Sequence, residues 1–264
     1  MRLIQLSDIH FGGENAEAVA AAGAWIRKAA PDLVVATGDL TLDGRACEFD
    51  AAAAWLKTLP RPMIVTPGNH DTPFFGPGEL WERFTRPWRR FCDRFGAEDG
   101  ARWQGPGVTL TTLNTARAAQ LRLNWSKGAV GQDQIRRVVG ELEAAPAGDL
   151  RIVACHHPLM EILGGPMTAR VHGGVDAAKQ FVKAGADVIL SGHIHLPFVT
   201  PLPFGDGRTQ AIGSGTLSQR ERGAAPSFNM IEIEAGCVRV TAMAYAHGDF
   251  EAWRTWAIDR RPLR

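Results

Sequence analysis

The sequence predicts a layered α/β fold in one large domain that spans residues 1–264. Short apolar runs recur along the chain, each bounded by polar or turn residues, which is typical of buried strands. Ala-rich or amphipathic segments separate these runs, as expected of helices that cover a sheet. A chain of 264 residues that is 45% hydrophobic is also long enough to bury a substantial core.

The first five predicted strands each end in polar residues. They are RLIQLS before Asp8, DLVVAT before Asp39, PMIVT before the GNHD tetrapeptide at 68–71, RIVACHH around position 155, and DVILSGH before His193. The predicted helices lie at residues 15–29, 46–58, 132–144 and 176–184. This alternation favours strand–helix–strand units.

The C-terminal segment, residues 196–264, shows a different pattern. Its runs LPFVTPLPF, TQAIGSG, SFNMIEIE and CVRVTAMAY alternate with a period of two and include no helical stretch. Such alternation favours antiparallel strands. We expect this segment to complete a second sheet.

Residues 73–107 are predicted to form a small helical insertion after the GNHD tetrapeptide. Large aromatic residues recur there at spacings of three and four, which places them on one face of a helix: Trp81, Phe84, Trp88, Phe91 and Phe95. Packing of this face on the body of the domain is favoured over a cap or a dimer contact. If this face formed a dimer contact instead, the protein would be a homo-oligomer, and that alternative stays open.

Charge and cysteine content exclude several classes of protein. The formal net charge is +1, with 29 basic and 28 acidic residues, so we expect no nucleic-acid partner and no acidic membrane partner. The four cysteines form no CxxC pair, which argues against a disulfide framework and a Cys-type zinc site. Asp8 interrupts the N-terminal apolar stretch before it reaches signal-peptide length. We expect a cytoplasmic protein.

The polar residues at the five strand ends could bind metal ions. They are Asp8 and His10, Asp39, Asn69 and His70, His156 and His157, and His193 and His195. In α/β sheets, the carboxyl ends of strands gather ligands at one rim. Each motif alone is weak, but five in succession, each at a strand end, favour a metal site.

The side-chain types indicate which metals would bind. Carboxylate, imidazole and amide ligands without thiolates suit divalent ions such as Mn²⁺, Fe²⁺ or Zn²⁺. A bridging carboxylate can hold two ions about 3.5–4 Å apart, and such a pair lowers the pKa of a shared water. The resulting hydroxide is a nucleophile held at the metal pair.

The same blocks carry a family resemblance. In this order, SDIH, GDLTLDG, GNHD, HHP and GHIH resemble the five signature blocks of the calcineurin-like metallophosphoesterases, and they span residues 7–195. Within that superfamily, LIQLSDIHFG and the GNHD form are most similar to class III cyclic-nucleotide phosphodiesterases and bacterial glycerophosphodiesterases. The resemblance implies a four-layer αββα sandwich with two metal ions at the carboxyl ends of the central strands.

The resemblance also implies how the ligands divide between the ions. The first ion would be held by Asp8, His10 and His195, the second by Asn69, His156 and His193, with Asp39 bridging both. No block lacks its ligand, which favours an enzyme over a non-catalytic interaction module.

His70 is left over from this ligand set. In the family pattern the histidine of GNH contacts the substrate, and it either stabilises the transition state or protonates the leaving oxygen. We therefore expect His70 to be catalytic, with Asp71 orienting its imidazole. His157 is expected to support the ligands, and His172 and His247 to lie outside the site.

The expected activity is hydrolysis of a small phosphodiester, either a cyclic nucleotide or a glycerophosphodiester. Three phenylalanines on ligand-bearing loops would offer aromatic surface to its organic groups or would equally seal the core: Phe11, Phe74 and Phe75. Arg45 is the nearest basic candidate for substrate binding.

Two other enzyme classes are less favoured. A nucleotide-sugar-lipid pyrophosphatase would use the aromatic and basic insertion. A DNA nuclease is disfavoured by the neutral charge, because phosphate-backbone binding needs clustered positive charge.

Overall fold

The computed structural model describes residues 1–74, 76–119, 126–161 and 171–260, in which two six-stranded sheets are flanked by helices. The first sheet joins the two ends of the chain. Its strands, in spatial order, are β12 (Asp249–Asp259), β11 (Cys237–Ala246), β10 (Ser227–Ile233), β1 (Arg2–Leu6), β2 (Leu33–Thr37) and β3 (Met63–Thr66). β1, β2 and β3 are parallel, whereas β10 pairs antiparallel with β1 and places Ile231 opposite Leu3.

The second sheet is built from the middle of the chain. Its order is β4 (Arg102–Gly105), β5 (Val108–Leu113), β6 (Leu150–Cys155), β7 (Val188–Ser191), β9 (Gln210–Gly213) and β8 (Phe198–Pro201). β5, β6, β7 and β9 are parallel, and the edge strands β4 and β8 are antiparallel. Both sheets therefore contain parallel strands whose carboxyl ends carry the predicted metal-binding motifs.

Six helices complete the described elements. They are α1 (Ala16–Ala29), α2 (Ala46–Lys57), α3 (Pro77–Thr85), α4 (Arg89–Phe95), α5 (Gln132–Glu143) and α6 (Gly174–Lys183). The four predicted helices outside the insertion match α1, α2, α5 and α6 to within two residues at each end. None of the helices in the described part of the chain combines the length and apolar character needed to cross a membrane.

Three apolar layers show how these elements stack. One layer buries Phe49 of α2 and Phe91 of α4 against the outer face of the first sheet. A second buries Phe181 of α6 against the outer face of the second sheet. The third lies between the sheets and includes Leu3 and Ile152. The order is helix, sheet, sheet, helix, which confirms the predicted αββα sandwich.

Strand β1 shows why its sequence suits this position. Successive side chains of a strand point to opposite faces. Leu3 therefore faces the layer between the sheets, whereas Ile4 and Leu6 face the helices. Gln5 is also buried, and its Nε2 donates to the Ser191 carbonyl at 2.9 Å, which links the two sheets beside the ligand loops.

The C-terminal segment differs from the expectation that residues 196–264 complete a second sheet. Only β8 and β9 join the second sheet, and β9 does so in parallel with β7. Strands β10, β11 and β12 extend the first sheet instead. Alternation with a period of two indicates that one face of a strand is buried, but it does not specify the neighbouring strand.

The aromatic stripe in the insertion does not lie on one helix. The insertion contains α3 and α4, but its end, β4 (Arg102–Gly105), is a strand that pairs with β5, so residues 73–107 are not wholly helical as predicted. The chain leaves the helical conformation at Arg86, which has φ −147°. Pro87 explains the break because a proline disfavours helical geometry at the preceding residue. Phe91 on α4 is fully buried, whereas Trp81 on α3 is 72% exposed. The insertion thus packs on the domain through α4.

Candidate metal centre

The ligand-bearing loops of the two sheets meet at one edge of the sandwich. The Asp8 N–H donates to the Gly38 carbonyl at 2.9 Å, which joins the loops after β1 and β2. The His193 N–H donates to Asp8 Oδ2 at 2.8 Å, which joins the β1 loop to the loop after β7. Residues from distant parts of the sequence are therefore held in direct contact.

Four overlapping groups of side chains there could each hold a metal ion. Within each group, the possible ligand atoms lie within 4.8 Å of one another. The groups are Asp8, His10 and His195; Asp8, Asp39 and His156; His10, Asp39 and His70; and His156, His157 and His193. Because neighbouring groups share members, they form one continuous centre.

Several polar atoms in and beside this centre are buried and have no hydrogen bond of acceptable geometry. Five such atoms lie among the described residues: Asp8 Oδ1, His10 Nδ1, Asn69 Oδ1, His156 Nε2 and His193 Nε2. Two of them, Asp8 Oδ1 and His156 Nε2, lie within ion-pair distance of His195 and Asp39, respectively. Leaving a buried polar atom unpaired costs about 1–3 kcal/mol. Oxygen and imidazole nitrogen donors suit divalent ions of the manganese, iron and zinc type. The residues present therefore fit bound divalent ions.

Two histidines are oriented by hydrogen bonds on their far side. His156 Nδ1 donates to the Thr37 carbonyl at 2.8 Å, and His195 Nδ1 donates to the Arg220 carbonyl at 2.9 Å. Their Nε2 atoms lie 3.2 Å from Asp39 Oδ2 and 3.1 Å from Asp8 Oδ1, respectively. A carbonyl acceptor behind the ring is the usual support of a metal-binding histidine.

The backbone at the ligands adopts an unusual conformation. Five of them have φ between +52° and +68°: Asp8, His10, Asp39, His193 and His195. This left-handed region costs roughly 1–2 kcal/mol per non-glycine residue. Such strain is concentrated at functional sites. The fold thus maintains unfavourable backbone geometry to direct these side chains into one centre.

Two glycines permit the close approach of the loops. Gly38 has φ +86°, and a Cβ there would lie 2.7 Å from both His156 Nδ1 and the Gly68 nitrogen. A Cβ on Gly68 would overlap Asp39 Oδ1. Neither position has room for a larger residue unless the ligands move.

Burial and charge together set the protonation states. Burial alone would raise the pKa of Asp39, but the positive charges of His156 and His70 hold it well below its ordinary value. Burial lowers the pKa of His193 to about 3 and that of His10 to about 4. For His156, burial is outweighed by the charge of Asp39, and its pKa rises to about 9. An ionised Asp39 and neutral His10 and His193 are the forms that bind metal.

His70 is partly exposed at this centre. Its N–H donates to Asp39 Oδ1 at 2.9 Å, and its Nδ1 lies 2.5 Å from the Leu42 carbonyl. The ring packs edge-on against His10, with centroids 4.7 Å apart. His70 also lies within ligand distance of His10 and Asp39, so its role as a non-ligand remains a prediction.

Asp71 does not orient the His70 ring, contrary to the expectation from sequence. Its oxygens accept hydrogen bonds from Leu40, Thr41 and Gly68, whereas the Leu42 carbonyl orients His70. Asp71 is fully buried, and burial together with the negative charge of Asp39 raises its pKa to about 6.

The remaining histidines divide as follows. His157 Nδ1 lies 2.9 Å from Thr115 Oγ1 and its Nε2 lies 2.8 Å from the Ser126 carbonyl, so both ring nitrogens have hydrogen-bond partners. Burial, followed by the charge of His193, holds the pKa of His157 well below its ordinary value. His172 and His247 are exposed and belong to none of the metal-binding groups.

The predicted substrate-binding residues lie in different environments. Phe11 packs in the core with its ring 6.0 Å from that of Trp55, so the expectation that it offers surface to substrate is wrong. Arg45 lies at the N-terminus of α2 and forms ion pairs with Asp43 and Glu48 at 3.3 and 3.9 Å.

Phe74 is 50% exposed, and Phe75 lies outside the described residues. The guanidinium of Arg83 lies 5.3 Å from the centre of the Phe74 ring. Arg83 is itself almost completely buried, and it donates to the carbonyls of Pro73 and Ala118. Sequence reasoning missed this anchor because an arginine among other arginines on a helix is typical of a solvated face.

Comparisons with known proteins agree with this geometry. A model of the calcineurin-like phosphoesterase family matches residues 1–197. A probable cyclic nucleotide phosphodiesterase of Synechococcus sp. is 23% identical over 257 residues, which cover 89% of this chain and 85% of that protein.

Solved structures share the fold at lower sequence identity. The GAP50 anchor of the Plasmodium inner membrane complex has a TM-score of 0.69 at 10% identity and covers 100% of this chain and 90% of its own. A purple acid phosphatase from yellow lupin seeds has a TM-score of 0.67 at 13% identity and covers 98% of this chain and 54% of its own. Since the family match covers well over half of the chain and coincides with the ligand-bearing strand ends, this protein belongs to the calcineurin-like phosphoesterase family.

Proposed function

We propose that this chain is a metal-dependent hydrolase with two divalent ions, acting on a small phosphodiester of the cyclic nucleotide or glycerophosphodiester type. The observation that carries the proposal is the set of overlapping, largely buried groups, whose possible ligand atoms lie within 4.8 Å of one another in each group. The similarity to a probable cyclic nucleotide phosphodiesterase supports the choice of a diester.

The position of Asp39 supports a shared ligand. Its Oδ2 lies 3.2 Å from His156 Nε2 and 3.8 Å from His10 Nε2, so a single oxygen faces members of both proposed ligand sets. In this arrangement Asp8, His10 and His195 hold the first ion. Asn69, His156 and His193 hold the second. Asp39 contributes to both.

Bound divalent ions would polarise the phosphate and lower the pKa of a water molecule near it. The chain's own contribution is to neutralise and orient the diester, and we assign this role to His70. Its Nδ1 bonds to the Leu42 carbonyl, which leaves Nε2 as the ring nitrogen that can meet a substrate oxygen. Because Nδ1 carries a proton in that bond, proton donation from Nε2 requires the doubly protonated ring.

The exposed Phe74 ring supports a preference for diesters. A diester monoanion carries a second organic group, which gains from apolar contact. A monoester dianion needs further cationic neutralisation. Phe74 follows His70 and Asp71 by a few residues and offers half of its surface. Arg45 is held in ion pairs and would offer a less available charge.

The test is hydrolysis of matched nitrophenyl monoester and diester substrates with Mn²⁺ present, extended to cyclic nucleotides and glycerophosphodiesters. We expect a higher kcat/KM for the diesters. A clear preference for the monoester would favour a phosphatase instead.

A second candidate is a pyrophosphatase of a nucleotide-sugar lipid. The observation in its favour is the apolar surface of α3, where Leu80, Trp81 and Phe84 are 43%, 72% and 56% exposed. A lipid-linked substrate would gain from such a surface. Faster hydrolysis of a lipid-linked pyrophosphate than of any small diester would favour this candidate.

A further inference from the structure

The Asp71 carboxylate joins two ligand-bearing loops. Oδ1 accepts hydrogen bonds from the Thr41 N–H and the Thr41 hydroxyl, both at 2.9 Å. Oδ2 accepts from the Gly68 N–H at 2.8 Å and the Leu40 N–H at 3.2 Å. Each oxygen therefore accepts two hydrogen bonds, and no Lys or Arg of the described residues forms an ion pair with this carboxylate.

These donors belong to the loops that carry two proposed ligands. Leu40 and Thr41 directly follow Asp39 after β2. Gly68 directly precedes Asn69 after β3. Neighbouring contacts join the same loops, because the His70 N–H donates to Asp39 Oδ1 and the Thr41 hydroxyl lies 3.0 Å from the His70 carbonyl.

We propose that Asp71 is a positioning residue that fixes Asn69 relative to Asp39, and that the second metal ion depends on it more than the first. This inference rests on the proposed function. Asp39 and Asn69 are two of the four proposed ligands of the second ion. Of these two residues, only Asp39 is also a proposed ligand of the first ion. The other proposed ligands of the first ion are Asp8, His10 and His195.

The four hydrogen bonds make substitution by asparagine informative. An asparagine amide has nearly the shape of the carboxylate, but it offers one acceptor oxygen and one NH₂ donor. At the Oδ2 position its NH₂ would face the N–H groups of Gly68 and Leu40, and at the Oδ1 position it would face the Thr41 N–H, while the Thr41 hydroxyl can rotate to accept. The substitution would thus remove hydrogen bonds between the two loops at one of the two carboxylate positions. The volume of the side chain would hardly change.

The other proposed ligands have separate supports. His156 is held by the Thr37 carbonyl and His195 by the Arg220 carbonyl, whereas the Asp8 carboxylate accepts from the His193 N–H. None of these contacts involves Asp71. The first site should therefore tolerate Asp71→Asn better than the second.

The experiment compares Asp71→Asn with a matched Asp→Asn control in the full chain. Asp187→Asn is suitable because Asp187 also accepts from a backbone N–H, that of Arg151 at 2.9 Å, and lies beside the first residue of β7, at the opposite end of that strand from His193. Each variant is titrated with Mn²⁺, bound metal is measured by elemental analysis, and thermal unfolding is recorded without metal.

We expect Asp71→Asn to retain one Mn²⁺ per chain at a concentration where wild type and Asp187→Asn retain two. Its affinity for the second ion should fall about 10–100-fold, as for other residues that support metal ligands. Diesterase activity should recover when Mn²⁺ is raised. Two ions bound with wild-type affinity, or equal weakening of both, would overturn the proposal.

Thr41→Val keeps the inference testable should Asp71→Asn not fold. It removes the hydroxyl bond to Asp71 and the 3.0 Å hydroxyl contact with the His70 carbonyl, and it retains the other three bonds to Asp71. We therefore expect a smaller weakening of the second ion alone. An unchanged second affinity in Thr41→Val would then overturn the proposal. If wild type binds two ions but cleaves no diester, the proposed substrate class fails while the metal titration still decides the role of Asp71.

Discussion

Replacement of His70 by alanine separates catalysis from metal binding. The substitution keeps the backbone N–H that donates to Asp39 and the carbonyl that lies near the Thr41 hydroxyl. It removes the ring and its hydrogen bond to Leu42. Loss of that bond should cost about 0.5–1.5 kcal/mol of folding stability. The fold and the bound metal should therefore be retained.

The expected catalytic loss is much larger. Removing a positioned proton donor lowers the rate by about 10²–10⁴-fold. At about 1.36 kcal/mol per factor of ten, this is roughly 2.7–5.4 kcal/mol of transition-state stabilisation. The loss should shrink for a nitrophenolate leaving group, because a good leaving group needs little protonation.

The assay is kcat/KM for a series of diesters with leaving groups of different basicity, with metal content measured on the same samples. His172→Ala is the control, since His172 is exposed and outside the metal-binding groups. Loss of metal together with activity would refute the assignment of His70 as a non-ligand. An equal loss for every leaving group would refute proton donation and favour an electrostatic role.

Three further substitutions test individual features of the site. Asn69→Ala should lower the affinity for the second ion alone by more than about 10-fold, since even residues that support metal ligands contribute 10–100-fold. An equal loss of affinity for both ions in a two-site Mn²⁺ titration would contradict the ligand division. Phe74→Ala should raise KM for a nucleobase-bearing diester by about 5- to 150-fold, the equivalent of a 1–3 kcal/mol stacking contact. It should leave KM for a small alkyl diester unchanged. Equal effects on both substrates would show that Phe74 does not contact the nucleobase. Gly68→Ala should displace Asp39, lower the folding stability by about 1–3 kcal/mol and reduce metal content. Gly78→Ala is the control, because its Cβ would lie in open space, and it should leave stability and metal content unchanged. Normal thermal unfolding and metal content in Gly68→Ala would show that the loop can accommodate the added Cβ.

The cluster of candidate metal ligands could be predicted from sequence because the chemical types of these residues are distinctive and each follows a strand. Asp8, Asp39 and His193 are separated by up to 185 residues, yet parallel strands bring their carboxyl ends to one edge. The position of each ligand thus follows from a local signal, the end of an apolar run. The four-layer arrangement followed from the family resemblance.

Features that depend on tertiary contacts could not be predicted in this way. Asp71 is adjacent to His70, but its hydrogen-bond partners include Leu40 and Thr41 on another loop. The burial of Phe11 depends on the position of Trp55 on α2. Strand pairing is equally non-local, since β10 joins β1 from the opposite end of the chain.

Three strands were missed because their patterns are weak. One of them, β4 (Arg102–Gly105), has only four residues and lies inside the insertion that was predicted to be helical. β5 reads VTLTTL and is buried along its whole length, including its threonines, so it lacks the alternation of exposed and buried residues. β12 is a long edge strand that is mostly exposed on both faces. By contrast, the division of the insertion into α3 and α4 had a local signal in Pro87 that the aromatic spacing obscured.

The most direct test of the proposed two-ion hydrolase is metal content of wild type and Asp39→Ala, purified in parallel with Mn²⁺ and assayed for diester hydrolysis. Asp39 is the only residue proposed to contact both ions, and its Oδ2 faces both His156 and His10. We expect wild type to hold two ions per chain and to cleave the diester, and Asp39→Ala to hold neither ion and to be inactive. Two ions retained in Asp39→Ala would contradict the bridging assignment, and a fully active wild type without bound metal would contradict metal-dependent hydrolysis altogether.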